Sequence, residues 1–394
     1  MSDIHSTTFR YEAVCQELGV PQNPYFLKMF EKEKEETIFD IRDNMHLYLA
    51  GNNKLLTDKR LDDKDCEVLY KLLQNNVFVT SLDLRYNNIT DEGVKFIAKL
   101  LEENAVIEEI NLMCNDFGKD GAEVLARALH KNTGLRCLRL NGNKIGNRGG
   151  MYLAQMLQIN TTLQALDIAD TDLTTESVIA VATVLNNNRT LKSLNMNRPI
   201  LFTEQEECTV HFAKMLKVNT TLEELHLQKF EIRDFGATRL AENLMENLSL
   251  QYLDLSCNRI TRDGVLKRNT GIRHLNLSFN RLEDDGAIHV AEAIATYNTT
   301  LEILDVRTNN ITGKGLCALS DALKMNATLN KIFIWGNVLE ETAAIPYLVD
   351  GKTILSELNH SEQRHYYYAP SYGADVPSWQ PRGKNPRGSD VKAY

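Results

Sequence analysis

The sequence predicts an α/β solenoid, a horseshoe with a parallel β-sheet on its concave side and helices on its convex side. Three observations lead there. A short segment reading L-x-L-x-x-N recurs along the chain, cleanly at residues 82–87, 110–115, 138–143, 253–258, 275–280, 304–309 and 332–337. Its period is 28 residues from Asn87 to Asn115 and again from Asn115 to Asn143. Each segment leads to a glycine and then an amphipathic stretch, as at 94–101, with apolar residues three and four apart. A unit that cannot bury its apolar face alone stacks on its neighbours, so 394 residues make one continuous body instead of two or three domains.

Residues 1–45 precede the repeats. Segments 11–18 and 25–41 read as helices separated by Pro21 and Pro24, and the run 28–36 mixes Lys and Glu at helix-pair spacing. A helical cap over the open end of the first repeat is expected, because an uncapped solenoid exposes apolar side chains. A docking helix for a partner is the other reading. The solenoid itself is expected over 46–348, with about eleven repeats. It opens on the irregular rung 47–52, and Asn52 to Asn87 is 35 residues, an insertion of about seven near 54–63.

In the regular unit, L-x-L places both leucines on the core side of a short strand and the intervening residues on the other side. The Asn after it turns the chain and satisfies buried backbone groups with its amide. The glycines Gly93, Gly121, Gly149, Gly236, Gly264, Gly286 and Gly315 permit close backbone approach or positive φ at the helix start. Asn104, Asn132, Asn160, Asn188, Asn219, Asn298 and Asn326 end the helices, where a left-handed conformation is expected. Three consecutive rungs replace the turn Asn, with Thr171, Pro199 and Phe230, and 200–207 is an acidic loop with an apolar lip. Asn258 to Asn280 is only 22 residues. Nearly a whole helix is missing there, either as a native loop or through a gene-model loss. Residues 338–348 resemble a last helix interrupted by Pro346, 349–354 carries an Asp-Gly turn signal, and the extension 349–394 ends in a Pro/Gly-rich basic tail expected to be disordered.

Net charge is -9 and the pI about 5.6, which argues against general binding to nucleic acid or anionic membrane. No apolar run is long enough to span a bilayer, and 1–10 lacks a secretory h-region. Seven scattered cysteines without a C-x-x-C read as reduced intracellular thiols. The N-x-[ST] triplets at 160–162 and 298–300 fall at one phase of the repeat and are better explained as turns than as glycosylation sites.

No catalytic, cofactor or metal site emerges. Gly351-Lys352-Thr353 ends like a phosphate loop, but Pro346 stands where the motif needs Gly. His360 and His365 have the wrong spacing for a helical metal pair. His226 is expected on the exposed strand face as a solvated histidine, and Cys114 and Cys257, just before turn Asn residues, as small packed residues. The concave face is the usual recognition surface of a solenoid. Its outward residues form a mixed polar strip ending in Phe333 and Trp335. Asp83, Arg85, Arg139, Asp254, Asp305, Arg307 and Trp335 are the candidate partner contacts, since Arg and aromatic residues anchor interfaces. Packing of Trp335 under the C-terminal segment is the competing reading.

A 28-residue unit with L-x-L-x-x-N, G-A-x-x-L-A and N-T-T-L resembles the ribonuclease-inhibitor-type leucine-rich repeat family over nearly all of 47–337. Features that the repeat does not generate resemble one branch of that family: the loop 197–207 (N-R-P-I-L-F-T-E-Q-E-E), 111–116, 149–151, 334–337 and 365–367. The short repeat at 258–280 departs from that branch, which has a full helix there. The resemblance implies a non-enzymatic, nucleolar and cytoplasmic factor of germ and stem cells that helps maintain pluripotency, with nucleophosmin and nucleolin as partners. A structural component of a ciliary axoneme is the alternative. A small-GTPase-activating protein is a third reading, since one family with this repeat type has that activity, but no distinctive loop for orienting water is found.

Overall fold

The computed structural model describes residues 3–37, 45–54, 56, 59–201, 206–261, 269–338 and 353–354. Among the described residues twelve short strands form one sheet in strict chain order, and all neighbours are parallel. They are β1 (Met45–Tyr48), β2 (Val79–Asp83), β3 (Glu109–Asn111), β4 (Cys137–Arg139), β5 (Ala165–Asp167), β6 (Ser193–Asn195), β7 (Glu224–His226), β8 (Tyr252–Asp254), β9 (His274–Asn276), β10 (Ile303–Asp305), β11 (Lys331–Phe333) and β12 (Thr353–Ile354). Helices α1 (Asp3–Leu18) and α2 (Pro24–Thr37) precede β1. The helical layer consists of α3 (Asp63–Leu73), α4 (Asp91–Glu103), α5 (Lys119–Leu129), α6 (Gly146–Ile159), α7 (Thr175–Leu185), α8 (Glu207–Val218), α9 (Asp234–Leu244), α10 (Glu283–Thr296) and α11 (Gly313–Met325). The expected α/β solenoid is the observed one.

The register explains why L-x-L recurs. Leu47, Leu82, Ile110, Leu138, Leu166, Leu194, Leu225, Leu253, Leu275, Leu304 and Ile332 are successive pairing partners and form a single buried column between sheet and helices. Burying each such side chain contributes about 1.5–3 kcal/mol. At the N-terminal end, Tyr11 stacks on Phe26 at 5.0 Å and meets Phe30 edge-on at 5.8 Å. Helix α1 packs on α3 and α2 on β1, and the Tyr25 hydroxyl donates to the Ala50 carbonyl at 2.9 Å. That bond satisfies a carbonyl at the N-terminal end of the sheet.

Two asparagine ladders join the repeats. In the first, Asn115 Nδ2 donates to the carbonyls of Leu84 and Leu112 at 3.0 Å each, while its Oδ1 accepts from the Ile89 N–H at 3.2 Å. Asn87, Asn143, Asn258, Asn280 and Asn337 repeat the geometry. At the anomalous rungs Thr171 reaches only the Ile168 carbonyl in its own turn, and Phe230 fills its place with a ring packed edge-on against Phe212 at 6.0 Å. The second ladder runs along the helix ends. Asn132 Nδ2 donates to Leu101 O at 2.7 Å and Asn104 O at 3.0 Å, and its Oδ1 accepts from Gly134 and Leu135 N–H. It also includes Asn247 and Asn269, so it continues where the first ladder fails.

The expected left-handed conformation lies elsewhere. Asn104, Asn160, Asn219 and Asn326 close their helices in extended backbone, with φ between -114° and -67°. The side chain itself supplies the turn, accepting from N–H groups two and three residues on. Positive φ falls instead on the residue just before each strand-end turn: Tyr86, Cys114, Gly142, Asp170, Arg198, Lys229, Cys257, Phe279, Thr308 and Gly336, at +52° to +76°. Size does not govern Cys114 and Cys257, since Tyr, Phe and Arg occupy equivalent places.

Gly93, Gly121, Gly149, Gly236, Gly286 and Gly315 are required for close approach at negative φ, and Gly264 lies outside the described residues. A Cβ on Gly93 would lie 2.4 Å from Asp63 Oδ1. That carboxylate accepts from Thr90 and Gly93 N–H, so this repeat caps the helix of the next. Asp91 and Asp284 do the same, Asp234 accepts from the Thr261 N–H, and from the irregular loop Glu206 caps α9 through Arg233 and Gly236 N–H. Consecutive helices pack side by side from α3 to α9, and α10 packs on α11. Among the described residues α9 and α10 do not pack side by side, residues 262–268 of the 22-residue repeat lie outside the described residues, and β8 and β9 pair normally. The expected helix at 338–348, the turn at 349–352 and the tail lie outside the described residues.

Candidate partner-binding face

The concave strip divides into three groups along the sheet. On β2 to β5, Arg85 Nε lies 3.2 Å from Asp83 Oδ2, and Asp83 also accepts from the Arg85 N–H at 3.2 Å. Burial raises the Asp83 carboxyl above its usual value, with Arg85 and Arg139 opposing. Arg139, half-buried, sits among Cys137, Glu109, Asp167 and Asp83, which favour its charged form. Burial pushes Asp167 up to about 6 against the pull of the Ala169 N–H and Arg139. The strands bring Asp83, Arg85 and Arg139 together because parallel neighbours in register stand about 4.8 Å apart.

The second group is on β7 to β9, and it overturns the expectation for His226. That side chain is 5% exposed and clamped, with Nε2 2.8 Å from Glu224 Oε1 and Nδ1 3.7 Å from Asp254 Oδ2. Burial alone would lower its pKa, but the Glu224 hydrogen bond and the charges of Glu224 and Asp254 outweigh burial and push it up to about 10. Its ring lies 4.8 Å from Tyr252, and Tyr252 meets His274 edge-on at 4.8 Å. His274 goes the other way: burial pulls it down to about 4 despite Asp254 and Glu224. One imidazole is therefore a held cation and its neighbour is neutral. Asp254 is fully buried and belongs to this cluster.

The third group closes the strip. Arg307 binds Asp305 through Nε at 2.8 and 2.9 Å and through Nη2, and its guanidinium lies 5.5 Å from the centre of the Phe333 ring. Both charged residues and Phe333 are buried. Trp335 is different, at 47% exposed, and so is Phe279 at the same value. The Phe279 N–H bonds to Arg307 O, and the Thr308 N–H to Trp335 O, which places the two aromatics at the same end of β9 and β11, with β10 between them. Of the seven candidate contacts, Asp83, Asp254, Asp305 and Arg307 are buried in contacts within the chain, Arg85 and Arg139 are half-buried, and Trp335 is exposed.

Sequence reasoning overlooked Glu224, Tyr252, His274 and Phe279 as parts of this face. The first three stand one residue before the leading Leu of their rungs, where strand alternation also points outward. Glu224 two residues from His226 was the available signal. Among the described residues no group of His, Cys, Asp and Glu is arranged to hold a metal ion, and no helix is long and apolar enough to cross a membrane.

The family model described as Leucine Rich repeat matches residues 75–98, 103–126, 131–154, 160–182, 246–267, 268–291 and 297–320. The stretch from 183 to 245, which holds Pro199, the acidic loop and Phe230, is left unmatched. Leucine-rich repeats generally mediate protein–protein binding as scaffolds without catalysis. Leucine-rich repeat-containing protein 34 of Rattus norvegicus is 51% identical over 389 residues, 92% of this chain and 94% of that protein. The Homo sapiens protein of that name is 50% identical over 92% of this chain and 84% of its own length, and the Mus musculus protein 47% identical over 92% and 94%. At that identity, over nearly the full length of both chains, this chain belongs to the leucine-rich repeat-containing protein 34 family.

Proposed function

We propose that this chain is a non-enzymatic scaffold that holds a protein partner on its concave face, with Trp335 and Phe279 as the anchor at the C-terminal end of the sheet. The observation that carries the reading is the two half-exposed aromatics beside the buried Asp305–Arg307 ion pair. A large aromatic beside satisfied charges gains apolar contact on binding without stranding an ion. Asp83, Arg85, Arg139, Asp254, Asp305 and Arg307 act mainly by fixing the shape and charge of the floor, with Arg85 and Arg139 the most accessible of the six. The family likeness supports a finer reading: a nucleolar and cytoplasmic factor of stem and germ cells involved in pluripotency, with nucleophosmin and nucleolin as the first partners to test. Affinity purification of the tagged full chain and of Trp335→Ala from such cells decides between outcomes. Loss of at least half of a specific partner's recovery in the variant, with unchanged thermal stability, supports the aromatic anchor. Equal recovery sinks it.

A further inference from the structure

We propose that the middle of the concave sheet, β5 to β8, is a seat for a Lys or Arg side chain carried by a basic segment of the protein partner. This rests on the reading of the concave face as the binding face, and adds the charge of what binds there. Elsewhere on the strip the charges balance within the chain. On β2 to β4, Asp83 and Glu109 stand with Arg85 and Arg139, and on β10 Asp305 holds Arg307. On β5 to β8 the outward positions carry three carboxylates, Asp167, Glu224 and Asp254, against one imidazolium, His226, so two negative charges are in excess. Arg139 on β4 is shared among Glu109, Asp167 and Asp83. Lys331 on β11 is three strand spacings from Asp254, about 14 Å, beyond the screening length of about 8 Å in physiological salt.

The buried end of the seat carries an unmet acceptor. Asp254 has no exposed surface, and its Oδ1 accepts from the Ser256 N–H at 2.8 Å, but its Oδ2 has no hydrogen bond. His226 Nδ1 stands 3.7 Å from that oxygen, too far for one, because the imidazolium directs its short contact of 2.8 Å to Glu224. A buried carboxylate oxygen without a donor is costly, and a cation brought near it lowers that cost. The open end is shaped for a long side chain. Ala165, Ala169 and Ser193 keep the floor low on β5 and β6, while Asp167, Asn195 and Tyr252 are half-buried and reach its surface. An aliphatic stem can lie over the small residues with its charged head at Asp167, in the field of Glu224 and Asp254. Among the described residues these groups are not arranged to hold a metal ion, so the cation they suit is one on a side chain. A carboxylate in the same place would meet the excess negative charge and be rejected.

The test pans a library of random peptides of about 12 residues, displayed on phage, against the immobilised full chain. At ~3.3 Å per residue such a peptide is long enough to reach from β6 to Trp335, about 24 Å away. Lys and Arg together should be about twofold or more enriched in the selected peptides over the input library, and high salt should weaken the selection. Asn195→Lys sets a competing ammonium in the seat and should return the enrichment to the input level. Gln155→Lys makes the same charge change on the exposed side of α6 and should leave it intact. Asp167→Asn, which keeps the acceptor for the Ala169 N–H, is the second variant should Asn195→Lys lose its circular-dichroism signature, and it should lower the enrichment. Selected peptides without a basic bias overturn the seat, as does a bias that survives in a folded seat variant. The same panning on Trp335→Ala separates the two readings. Basic peptides indifferent to Trp335 sink the aromatic anchor and leave the seat, and peptides that need Trp335 but carry no basic bias do the reverse.

Discussion

At the scale of single residues, backbone conformation and buried charge decide what each repeat tolerates. Gly142 combines φ of +76° with a Cβ position 2.7 Å from Cys114 Sγ. Gly142→Ala should therefore lower unfolding stability by about 1–2 kcal/mol, measured by urea denaturation, because an L side chain in that region is strained and also meets sulfur. His226 gives a pH signature. Its folded pKa of about 10 lies above the ordinary 6.5, so the stability it contributes is fully present below 6.5 and is lost as pH rises toward 10. Wild-type stability should fall between pH 7 and 10 by at least ~1 kcal/mol more than that of His226→Gln. Parallel pH profiles for the two proteins would refute the clamp by Glu224 and Asp254. Asp167, raised by burial to about 6, acts in an acidic window: its contribution is present below 3.8 and lost as pH rises through about 6.

At the scale of elements, the helix-end asparagines are the joints between repeats. Asn132 makes four hydrogen bonds to backbone, at 2.7, 3.0, 3.0 and 2.8 Å, and is buried. Asn132→Ala leaves those groups without partners and should cost about 2–4 kcal/mol, read from the denaturation midpoint. Substitutions are better tolerated in the strand-end ladder, where this chain already carries Thr171, Pro199 and Phe230 at successive turns. The positions of both ladders were legible in the sequence because a 28-residue period repeats them. Their conformations were not. An Asn at a helix end suggested a left-handed cap, yet its amide forms the turn in extended backbone, and the left-handed place fell to residues as different as Tyr86, Arg198 and Lys229. Composition at those sites gives no warning, because the neighbouring strand's hydrogen bonds hold the backbone there.

At the scale of the molecule, a solenoid is stabilised by nearest-neighbour interfaces, so its weakest junction controls cooperativity. Between α9 and α10 the described residues do not pack side by side, whereas the other successive helices from α3 onward do. Denaturant unfolding of the full chain should show two transitions. Hydrogen exchange should assign the earlier one to the body from β9 onward, whereas a single transition with uniform exchange would mean that the sheet alone couples the halves. The candidate face also belongs to this scale. The sequence indicated which residues line it, through alternation, but it suggested solvated charges and a free histidine. Packing on a concave surface draws side chains together, so that Asp83 meets Arg85, Glu224 and Asp254 enclose His226, and Asp305 holds Arg307. Trp335 stayed exposed because it stands at the end of the strip, beyond the last buried ion pair.

By itself the sequence determined the α/β solenoid, its parallel order, its buried leucine column and the two places where the repeat fails. Those follow from periodicity, and a period of 28 with alternating leucines has few ways to bury its apolar face. The tertiary structure decided which residues take the left-handed backbone, which carboxylate caps which helix, and which concave charges pair within the chain. The backbone and the caps depend on contacts between residues about 28 positions apart, across repeats, whereas Asp83–Arg85, Glu224–His226 and Asp305–Arg307 are two residues apart and pair because the sheet buries them side by side.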